Sequence, residues 1–345
     1  MHCEHWASAV IVYGAYGYTG QLVVERALAR GMRPVLAGRN AVPLAEMAQR
    51  LGLEHRVADI FEIEGVLEGA STVIHCAGPF STTSRPMVDA CLRTGTNYID
   101  ITGEIDVFEA ILARTGEAAA AGVVLLPGAG FDVVPSDCLA AMLARSMVDP
   151  VRLDLAVRMD GGFSAGTVTT AVEALGQRAR CRIGGTIVAV PPERRSRTAA
   201  FADGTARVSA VSWGDVSTAY HSTAIPDITV YTTIPSALTT VSEHLGGILG
   251  RPVVRSSLQA VARRLPGPSA SARRRSVSQI WGEVTGADGS RASGTVTTPN
   301  GYAFTADAVV EIARRIGTVP PGAYTPSRAL GPDFVGSLAG VTVSV

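Results

Sequence analysis

Residues Ala9–Gly20 read AVIVYGAYGYTG, an apolar run followed by a turn with three glycines. The run Ala9–Tyr13 is typical of a buried strand, and helical spacing of apolar residues begins after the turn. Side chains at the glycines would block a tight bend and hold the backbone away from a pyrophosphate. The next helix would present free N–H groups to phosphates. This context predicts a dinucleotide-binding turn formed by Gly14, Tyr16, Gly17, Tyr18, Thr19 and Gly20. A similar turn that binds no nucleotide is the alternative.

The end of the second predicted strand indicates which dinucleotide binds. An acidic residue about 20 positions after the glycines usually binds the ribose 2′-hydroxyl of NAD. Here the strand ends in Ala37–Asn40, AGRN, which contains no carboxylate. The guanidinium of Arg39, next to Asn40, can bind a 2′-phosphate. The sequence therefore predicts NADP(H) as the cofactor, unless Arg39 is only a solvated loop residue.

Strand and helix patterns alternate through the first 130 residues, which predicts an α/β fold with a doubly wound, Rossmann-type parallel sheet. After Gly130 the pattern changes to alternating strands and covering helices, which predicts a second, α+β domain with a mixed sheet. We expect an NADP(H)-binding domain over 1–130 and a substrate domain over 131–305. Residues 306–345 are predicted to form a helix and a tail that pack back on the first domain.

Several local predictions can be checked against a structure. We expect one helix over Glu104–Ala121 and an N-cap at Ser136. Tyr220, His221 and Tyr231 are predicted to lie on strand-like segments, and PGPSASARRR (266–275) is predicted to be a loop. Further helices are predicted over Thr167–Arg178, Ser236–Leu249, Val253–Arg264 and Ala306–Ile316.

Composition excludes several classes of protein. Formal net charge is zero, so no general attraction to nucleic acid or anionic membrane is expected. The five cysteines are scattered without a CxxC pair, which indicates reduced thiols and no zinc site. The first residues do not resemble a signal peptide, and no apolar run approaches the about 18 residues of a membrane span. We expect a soluble, cytoplasmic protein without a metal.

Two further loops follow predicted strands, at the edge where such sheets bind ligands. Asp59 follows the third strand, where it can face the adenine, cap a helix, or both. Ala77, Gly78, Pro79 and Phe80 follow the fourth strand. This turn suits the nicotinamide side of the cofactor, and an ordinary loop is the alternative.

These segments together resemble the saccharopine dehydrogenase-like oxidoreductases, and most of all their trans-acting enoyl reductase branch. The matching segments are GAYGYTG (14–20), AGRN (37–40), CAGPF (76–80), YIDITGE (98–104), GFDVVPSD (130–137), SAGTVTT (164–170), WGDVSTAYHSTAIPDITVY (213–231), PGPSASARRR (266–275), TPNGYAFTA (298–306), YTPSRALGPDFV (324–335) and LAGV (338–341). The resemblance implies an NADPH-binding domain and a substrate domain. It also implies reduction of C=C bonds in polyketide-derived chains, or chemistry at C–N bonds.

The sequence departs from the family pattern at three places. Tyr16 stands where relatives often have a small residue or threonine, and His221 where they often have arginine. SAGT replaces a more glycine-rich version. These departures affect the substrate more than the cofactor.

Hydride transfer also requires a proton donor, and the candidates are acids and hydroxyls near strand ends. We single out Asp132 and Tyr220 as candidate catalytic residues, with loop support as the alternative for Asp132. Candidate substrate-binding residues are Glu104, Phe131, Ser164, Thr167, His221 and Tyr231. For Glu104 the alternative is an acid in the first turn of a helix, and for Ser164 and Thr167 it is a helix N-cap. A lone histidine such as His221 is more often structural or exposed.

Three functions follow from these motifs. The first is an NADPH-dependent enoyl-type reductase of secondary metabolism, acting on a small-molecule or carrier-tethered acyl substrate. The second is an imine or C–N oxidoreductase, and the third is an NADP(H)-binding regulator without turnover. The basic clusters Arg194–Arg197 and Arg273–Arg275 are solvated surface or docking sites for an acidic carrier. A homodimer is compatible with the sequence, which does not decide the oligomeric state.

Overall fold

The computed structural model describes residues 9–160, 178–191, 194–233 and 267–345. These residues form two compact units, each with its own sheet. The first unit comprises the described residues up to Phe131 together with Tyr302–Leu330, and the second comprises those of Asp132–Gly301 together with Gly331–Val345. The segment 306–345 is therefore shared between the two units. The helices predicted near 167–178, 236–249 and 253–264 lie almost wholly outside the described residues.

The first unit contains a seven-stranded parallel sheet in the order β15-β6-β5-β4-β1-β2-β3. Its strands are β1 (Ala9–Tyr13), β2 (Val35–Gly38), β3 (His55–Val57), β4 (Ala70–His75), β5 (Asn97–Asp100), β6 (Val124–Leu126) and β15 (Gly322–Ala323). Its α-helices are α1 (Tyr18–Ala29), α2 (Ala41–Leu51), α3 (Glu64–Leu67), α4 (Phe80–Thr94), α5 (Ile105–Leu112), α6 (Thr115–Ala121), α10 (Gly301–Arg315) and α11 (Pro326–Leu330). The predicted Rossmann-type doubly wound sheet is confirmed.

The core of this unit follows from the apolar strands. Ile11 and Val12 of β1 are fully buried, as are Val73 and Ile74 of β4 beside them. Continuous apolar runs are typical of parallel strands covered on both faces. Because the strands are parallel, their carboxyl ends gather at one edge, where the loops after β1, β2, β4, β5 and β6 emerge.

One helix prediction in this unit is wrong. The single helix predicted over Glu104–Ala121 is two helices, α5 and α6. Glu104 is the N-cap residue of α5 and lies before its first turn. The break follows Leu112, where Arg114 becomes the N-cap of α6. Helical periodicity continues across such a break, so the spacing of apolar residues did not reveal it.

The second unit contains a nine-stranded mixed sheet, as predicted. The main path runs β10-β11-β12-β7-β13-β14-β16, and β8 pairs with β12 and β9. The strands are β7 (Pro150–Met159), β8 (Arg180–Ile183), β9 (Thr186–Ala189), β10 (Ser196–Phe201), β11 (Gly204–Ala210), β12 (Asp227–Thr232), β13 (Val277–Gly286), β14 (Arg291–Pro299) and β16 (Thr342–Ser344). Its helices are α7 (Val134–Arg145), α8 (Asp215–Thr223) and α9 (Ala270–Arg275).

This sheet rolls up, because its edge strand β10 contacts β13, although three strands lie between them in the sheet. The enclosed face is filled by an apolar cluster that includes Phe201, Tyr231 and Trp281. Arg197 of β10 lies over the Trp281 ring, 4.6 Å from its centroid, and forms ion pairs with Asp154 and Glu283. The opposite face of the sheet is covered by α7 and α8.

Three local predictions in this unit are corrected. Ser136 is not an N-cap, because α7 begins at Val134 and Ser136 is buried inside it. Tyr220 and His221 lie on helix α8 and not on a strand. The segment predicted as a loop at 266–275 contains the short helix α9, capped by Ser269.

Candidate functional site

The glycine turn of the first unit has the close backbone contacts that its sequence predicts. Gly14 has a φ of +83°, and its N–H donates to the Ala37 carbonyl at 2.8 Å. A Cβ at Gly20 would lie 2.2 Å from the Gly14 carbonyl oxygen. Helix α1 begins after Gly17 with no side-chain cap and no acid in its first turn. Its N-terminus therefore presents uncapped N–H groups and a positive dipole end, which suits a pyrophosphate.

Tyr16, Arg39 and Asn40 lie at the end of β2. The Tyr16 ring lies over Gly38, and its hydroxyl accepts a 3.4 Å hydrogen bond from the Asn40 N–H. Arg39 is exposed, and its guanidinium forms no ion pair or hydrogen bond with any other described residue. Helix α2 follows Asn40 without a side-chain cap or an acid in its first turn. An exposed guanidinium beside an uncapped helix N-terminus suits a 2′-phosphate.

The neighbouring strand ends contribute Tyr13 and Asp59. Burial raises the pKa of Tyr13 to about 12, and the nearby Asp59 carboxylate adds to this shift. Arg39 lowers the pKa of Tyr13, so its positive charge acts on the same region. The Asp59 carboxylate accepts a 3.2 Å hydrogen bond from Phe61 N–H and caps a short 3₁₀ helix. The predicted capping role is present, and an adenine contact remains a proposal.

The Ala77–Phe80 turn follows β4 and is held by several hydrogen bonds. Thr83 Oγ1 donates to the Ala77 carbonyl at 2.8 Å, and Gly78–Pro79 is a cis peptide bond. Both carboxylate oxygens of Glu104 accept backbone N–H bonds at the start of α4, from Phe80 at 2.9 Å and Ser81 at 2.8 Å. Glu104 therefore supports this turn, and its predicted contact with substrate remains a prediction.

A buried polar chain lies beneath this turn. The His75 ring contacts the Phe80 and Tyr98 rings, with Nε2 3.1 Å from the Ala77 carbonyl oxygen and Nδ1 3.3 Å from Tyr98 Oη. Tyr98 Oη in turn lies 2.6 Å from Asp100 Oδ2. Sequence reasoning treated Tyr98 as packing and did not single out His75. The available signal was the two-residue spacing of Tyr98 and Asp100, which places both on one face of β5.

In the second unit, Asp132 is half-buried, and its carboxylate has no hydrogen-bond partner among the described residues. Its backbone carbonyl accepts a 2.7 Å hydrogen bond from Trp213 Nε1, which fixes the backbone. No described residue donates a hydrogen bond to its carboxylate, so the alternative of loop support through that carboxylate is not seen. Burial raises the pKa of Asp132 to about 6.

Two further buried acids join α7 and α8. Ser136 Oγ donates to Asp215 at 2.9 Å, and Ser222 Oγ donates to Asp137. Burial, with the nearby Asp137, raises the pKa of Asp215 well above its ordinary value. These reciprocal pairs connect the two helices and explain why Ser136 is buried.

Tyr220 and His221 are neighbours on α8, with ring centroids 5.9 Å apart. The guanidinium of the buried Arg182 lies 4.1 Å from the Tyr220 ring centroid and donates to the Gly185 and Val216 carbonyls. A cation over its ring holds Tyr220 in place. The structure therefore gives Tyr220 a defined orientation, and its catalytic role remains a proposal.

Two other predicted substrate residues, Tyr231 and Phe131, are buried in different units. Tyr231 is 1% exposed, belongs to the apolar cluster of the rolled sheet and donates to Asp154. It lies in the core of this unit. Phe131 is buried in the first unit, where its N–H donates to Thr305 Oγ1 and its ring contacts Phe304. Ser164 and Thr167 lie outside the described residues.

The two basic clusters also differ. Arg194 and Arg197 are largely buried in ion pairs with Asp227, Asp154 and Glu283, whereas Arg195 between them is exposed. Arg274 and Arg275 are exposed at the end of α9.

The described residues contain neither a cluster of metal ligands nor a membrane-spanning helix. Within 9–160, 178–191, 194–233 and 267–345, no group of three or more His, Cys, Asp or Glu residues is placed to hold a metal ion. Over the same ranges, every helix is too short or too polar to cross a bilayer.

Residues 10–126, which contain β1–β6 and the whole glycine turn, match the family model of the saccharopine dehydrogenase NADP binding domain. The match covers this part of the chain, about a third of its length. The predicted resemblance is confirmed over this part of the chain, and so is NADP(H) as the cofactor class. The uncapped start of α1 and the exposed Arg39 agree with that assignment.

Two curated relatives match about two fifths of this chain. A trans-acting enoyl reductase of Mycobacterium leprae (strain TN) is 34% identical over 151 residues, 41% of this chain and 36% of the relative. A saccharopine dehydrogenase-like oxidoreductase of Rattus norvegicus is 31% identical over 172 residues, 43% of this chain and 40% of the relative. The matches thus span about two fifths of the relatives' length.

A solved structure shows the same fold across nearly the whole chain. It is the apo histidine-tagged saccharopine dehydrogenase (L-Glu forming) from Saccharomyces cerevisiae, with a TM-score of 0.65. The similarity covers 98% of this chain and 100% of that chain at 13% sequence identity. The predicted combination of a parallel and a mixed sheet is therefore a known arrangement.

Proposed function

We propose that this protein is an NADP(H)-dependent reductase that acts on an unsaturated, enoyl-type acyl or polyketide-derived intermediate in secondary metabolism. The observation that carries the proposal is the exposed Arg39 beside the uncapped start of α2, within a domain of an NADP-binding family. NADPH, when bound, supplies the hydride. The protein's own residues bind it, orient it and provide the proton.

The cofactor-binding residues divide by position. The turn from Gly14 to Gly20 and the N–H groups of α1 would hold the pyrophosphate, and Arg39 with Asn40 the 2′-phosphate. The Ala77–Phe80 turn, fixed by Glu104, would lie along the nicotinamide side. Because this edge is held by backbone hydrogen bonds, it is preorganised for ligand binding.

We propose Asp132 as the proton donor. A general acid works best when its pKa is near the working pH, and burial raises that of Asp132 to about 6. Its carboxylate has no hydrogen-bond donor among the described residues, so it can interact with substrate. Tyr220 is the second candidate, because Arg182 holds its ring in a fixed orientation.

The enoyl reaction is favoured by a relative and by the arginines of the second unit. The Mycobacterium leprae relative is a trans-acting enoyl reductase. Enzymes that bind amino-acid carboxylates commonly use bidentate arginines. Here Arg145, Arg152, Arg158, Arg194 and Arg197 form ion pairs with acids of their own unit. Pairing of these arginines with internal acids supports an acyl substrate over an amino acid.

The second candidate is an imine or C–N oxidoreductase. The fold similarity to saccharopine dehydrogenase covers almost both whole chains, which keeps this reaction class open. A carrier-tethered acyl substrate would use Arg274 and Arg275 for docking, since both are exposed. A small free substrate would not need them.

The decisive experiment measures NADPH oxidation by the purified protein against matched enoyl and imine acceptors, with NADH as the coenzyme control. We expect turnover with enoyl thioesters and a clear preference for NADPH. Turnover of imines alone would replace the first candidate with the second. Tight NADPH binding without oxidation by any acceptor would support a regulator instead. A preference for NADH would contradict the cofactor assignment.

A further inference from the structure

Three buried polar side chains, His75, Tyr98 and Asp100, have no part in the cofactor contacts proposed above. Each has 0% of its surface exposed. They connect three strand ends, because His75 ends β4, Asp100 ends β5, and Asp100 Oδ1 accepts hydrogen bonds from Gly128 N–H after β6 at 2.8 Å and from Thr102 N–H at 3.0 Å. At the other end, His75 Nε2 contacts the Ala77 carbonyl.

The number of protons that His75, Tyr98 and Asp100 share decides whether all of their hydrogen bonds can form. With Asp100 ionised, the Tyr98 hydroxyl donates to it, so the Tyr98 oxygen must accept from His75 Nδ1–H. A neutral imidazole then has no proton on Nε2, which faces the Ala77 carbonyl oxygen at 3.1 Å. The other tautomer satisfies Ala77 and leaves two acceptors facing each other at Tyr98. In both cases one buried hydrogen bond is missing.

One additional proton completes every hydrogen bond. If this proton is on Asp100, the Asp100 Oδ2–H donates to the Tyr98 oxygen and the Tyr98 hydroxyl donates to His75 Nδ1. His75 Nε2–H can then donate to the Ala77 carbonyl. Asp100 Oδ1 keeps its two N–H donors. On His75, the same proton would create an imidazolium and a carboxylate separated by Tyr98, and burial disfavours both charges.

The surrounding groups favour the neutral arrangement. Cys76 and Glu104 are the ionisable groups near Asp100 besides Tyr98, and neither supplies a positive charge. The aromatic rings of Tyr13, Phe80 and Tyr98 contact His75. Burial raises the pKa of Asp100 to about 6 and lowers that of His75 to about 3. Both pKa shifts favour a proton on Asp100 over a second proton on His75.

We propose that His75, Tyr98 and Asp100 form a neutral positioning network that holds one proton on Asp100 and thereby fixes the loops after β4 and β6. The network positions the Ala77 carbonyl and the Gly128 N–H and does not contact substrate. Its link to catalysis rests on the proposed placement of the nicotinamide beside Ala77–Phe80. The proton itself can be detected without any cofactor.

Two spectroscopic measurements on the wild-type protein test the proton directly. At pH 5, we expect the wild type to show a protonated-carboxyl infrared band that is missing from Asp100→Asn and present in the exposed control Asp106→Asn. The carboxyls of Asp132 and Asp215, whose pKa values are also raised, absorb in all three proteins and cancel in the difference spectra. We also expect ¹⁵N NMR shifts of His75 for a neutral ring protonated at Nε2. A doubly protonated His75 with an ionised Asp100, or the absence of the carboxyl band at pH 5, would overturn the proposal.

Asp100→Asn also tests the positioning role, because its amide N–H₂ can donate to Tyr98 while its oxygen accepts the two N–H bonds. NADPH affinity of this variant should match that of the wild type at pH 5. At pH 8 the wild type should bind about fivefold more weakly than the variant, the effect of about one hydrogen bond. Tyr98→Phe should remove this pH-dependent difference. An unchanged ratio between pH 5 and pH 8 would refute the positioning role.

The outcomes separate this inference from the proposed function. If the wild type binds no NADPH, the cofactor proposal fails while the infrared and NMR results still decide the proton. If NADPH binds and the carboxyl band is absent, the network proposal fails alone.

Discussion

The Tyr16 ring packs so closely on Gly38 that a Cβ at position 38 would lie 2.7 Å from Tyr16 Cε1. This contact joins the glycine turn to the end of β2, where Asn40 N–H reaches the Tyr16 hydroxyl. Relatives often have a small residue or threonine at position 16. The larger Tyr16 ring fits here because residue 38 is glycine.

A double-mutant cycle tests this contact. We expect Gly38→Ala to destabilise the wild type by about 1–2 kcal/mol, because the added methyl displaces the ring. In a Tyr16→Ala background the same change should cost less than about 0.5 kcal/mol. Urea unfolding measures both values. Additive effects of the two substitutions would show that the contact has no energetic weight.

Gly20→Ala should disrupt the turn itself, since the new Cβ would lie 2.2 Å from the Gly14 carbonyl oxygen. We expect a loss of about 2 kcal/mol of stability and of measurable NADPH binding. Gly116→Ala in α6 is the matched control, because its Cβ would meet no atom within 4 Å. Its stability should stay within about 1 kcal/mol of the wild type. Calorimetry and fluorescence titration with NADPH provide the two readouts.

Arg39→Asp should reverse the coenzyme preference. Loss of a charge-assisted contact and gain of a like charge should lower NADPH affinity relative to NADH by about 100-fold. Arg50→Asp, an exposed change in the last turn of α2, supplies the control with the same change in net charge. If both variants bind NADPH like the wild type, Arg39 has no role in 2′-phosphate recognition.

Asp132→Asn should lower kcat by about 100-fold while the Kd for NADPH stays within about twofold. In the wild type, burial raises the pKa of Asp132 to about 6. The protonated fraction, and with it kcat, should therefore fall as the pH rises through about 6. This decline should persist in Asp288→Asn, an exposed turn variant, and vanish in Asp132→Asn. A variant with wild-type kcat would transfer the role to another group such as Tyr220.

Arg197→Met should destabilise the second unit by about 1–3 kcal/mol, because the buried Asp154 and the half-buried Glu283 lose the cation that they share. Asp154 then keeps only its ion pair with Arg152. Arg291 also approaches Glu283, at 3.7 Å, but its side chain is 66% exposed. Arg291→Met should cost less than about 1 kcal/mol. Denaturant midpoints at one protein concentration compare the two variants. Equal effects would mean that Arg197 behaves as a surface arginine.

The first unit could be predicted well from sequence because its signals are local. Apolar runs ending in glycine define β1 and β2, and the strand at Ala9–Tyr13 has the predicted bounds. In contrast, β15 has only two residues, Gly322 and Ala323, and no apolar run marks it. Its place beside β6 depends on tertiary pairing, which periodicity does not encode.

The candidate site was predictable where a motif acts through its own backbone. Glycine spacing and Arg39 are examples of such local signals. The roles of Glu104 and His75 depend on neighbours brought together by the sheet, since Glu104 reaches the start of α4 and His75 lies in register with Asp100. Tyr220 and His221 were predicted on a strand-like segment, whereas both lie on helix α8.

The first unit is completed by residues far along the chain, and this matters for its synthesis on the ribosome. Phe131 donates its N–H to Thr305, 174 positions later, and Arg26 on α1 pairs with Asp307 on α10, 281 positions later. A nascent chain that has just emerged to Phe131 therefore lacks both α10 and β15. The nucleotide-binding unit, although first to be translated, reaches its final form only after strands β7–β14 of the rolled sheet have also left the ribosome.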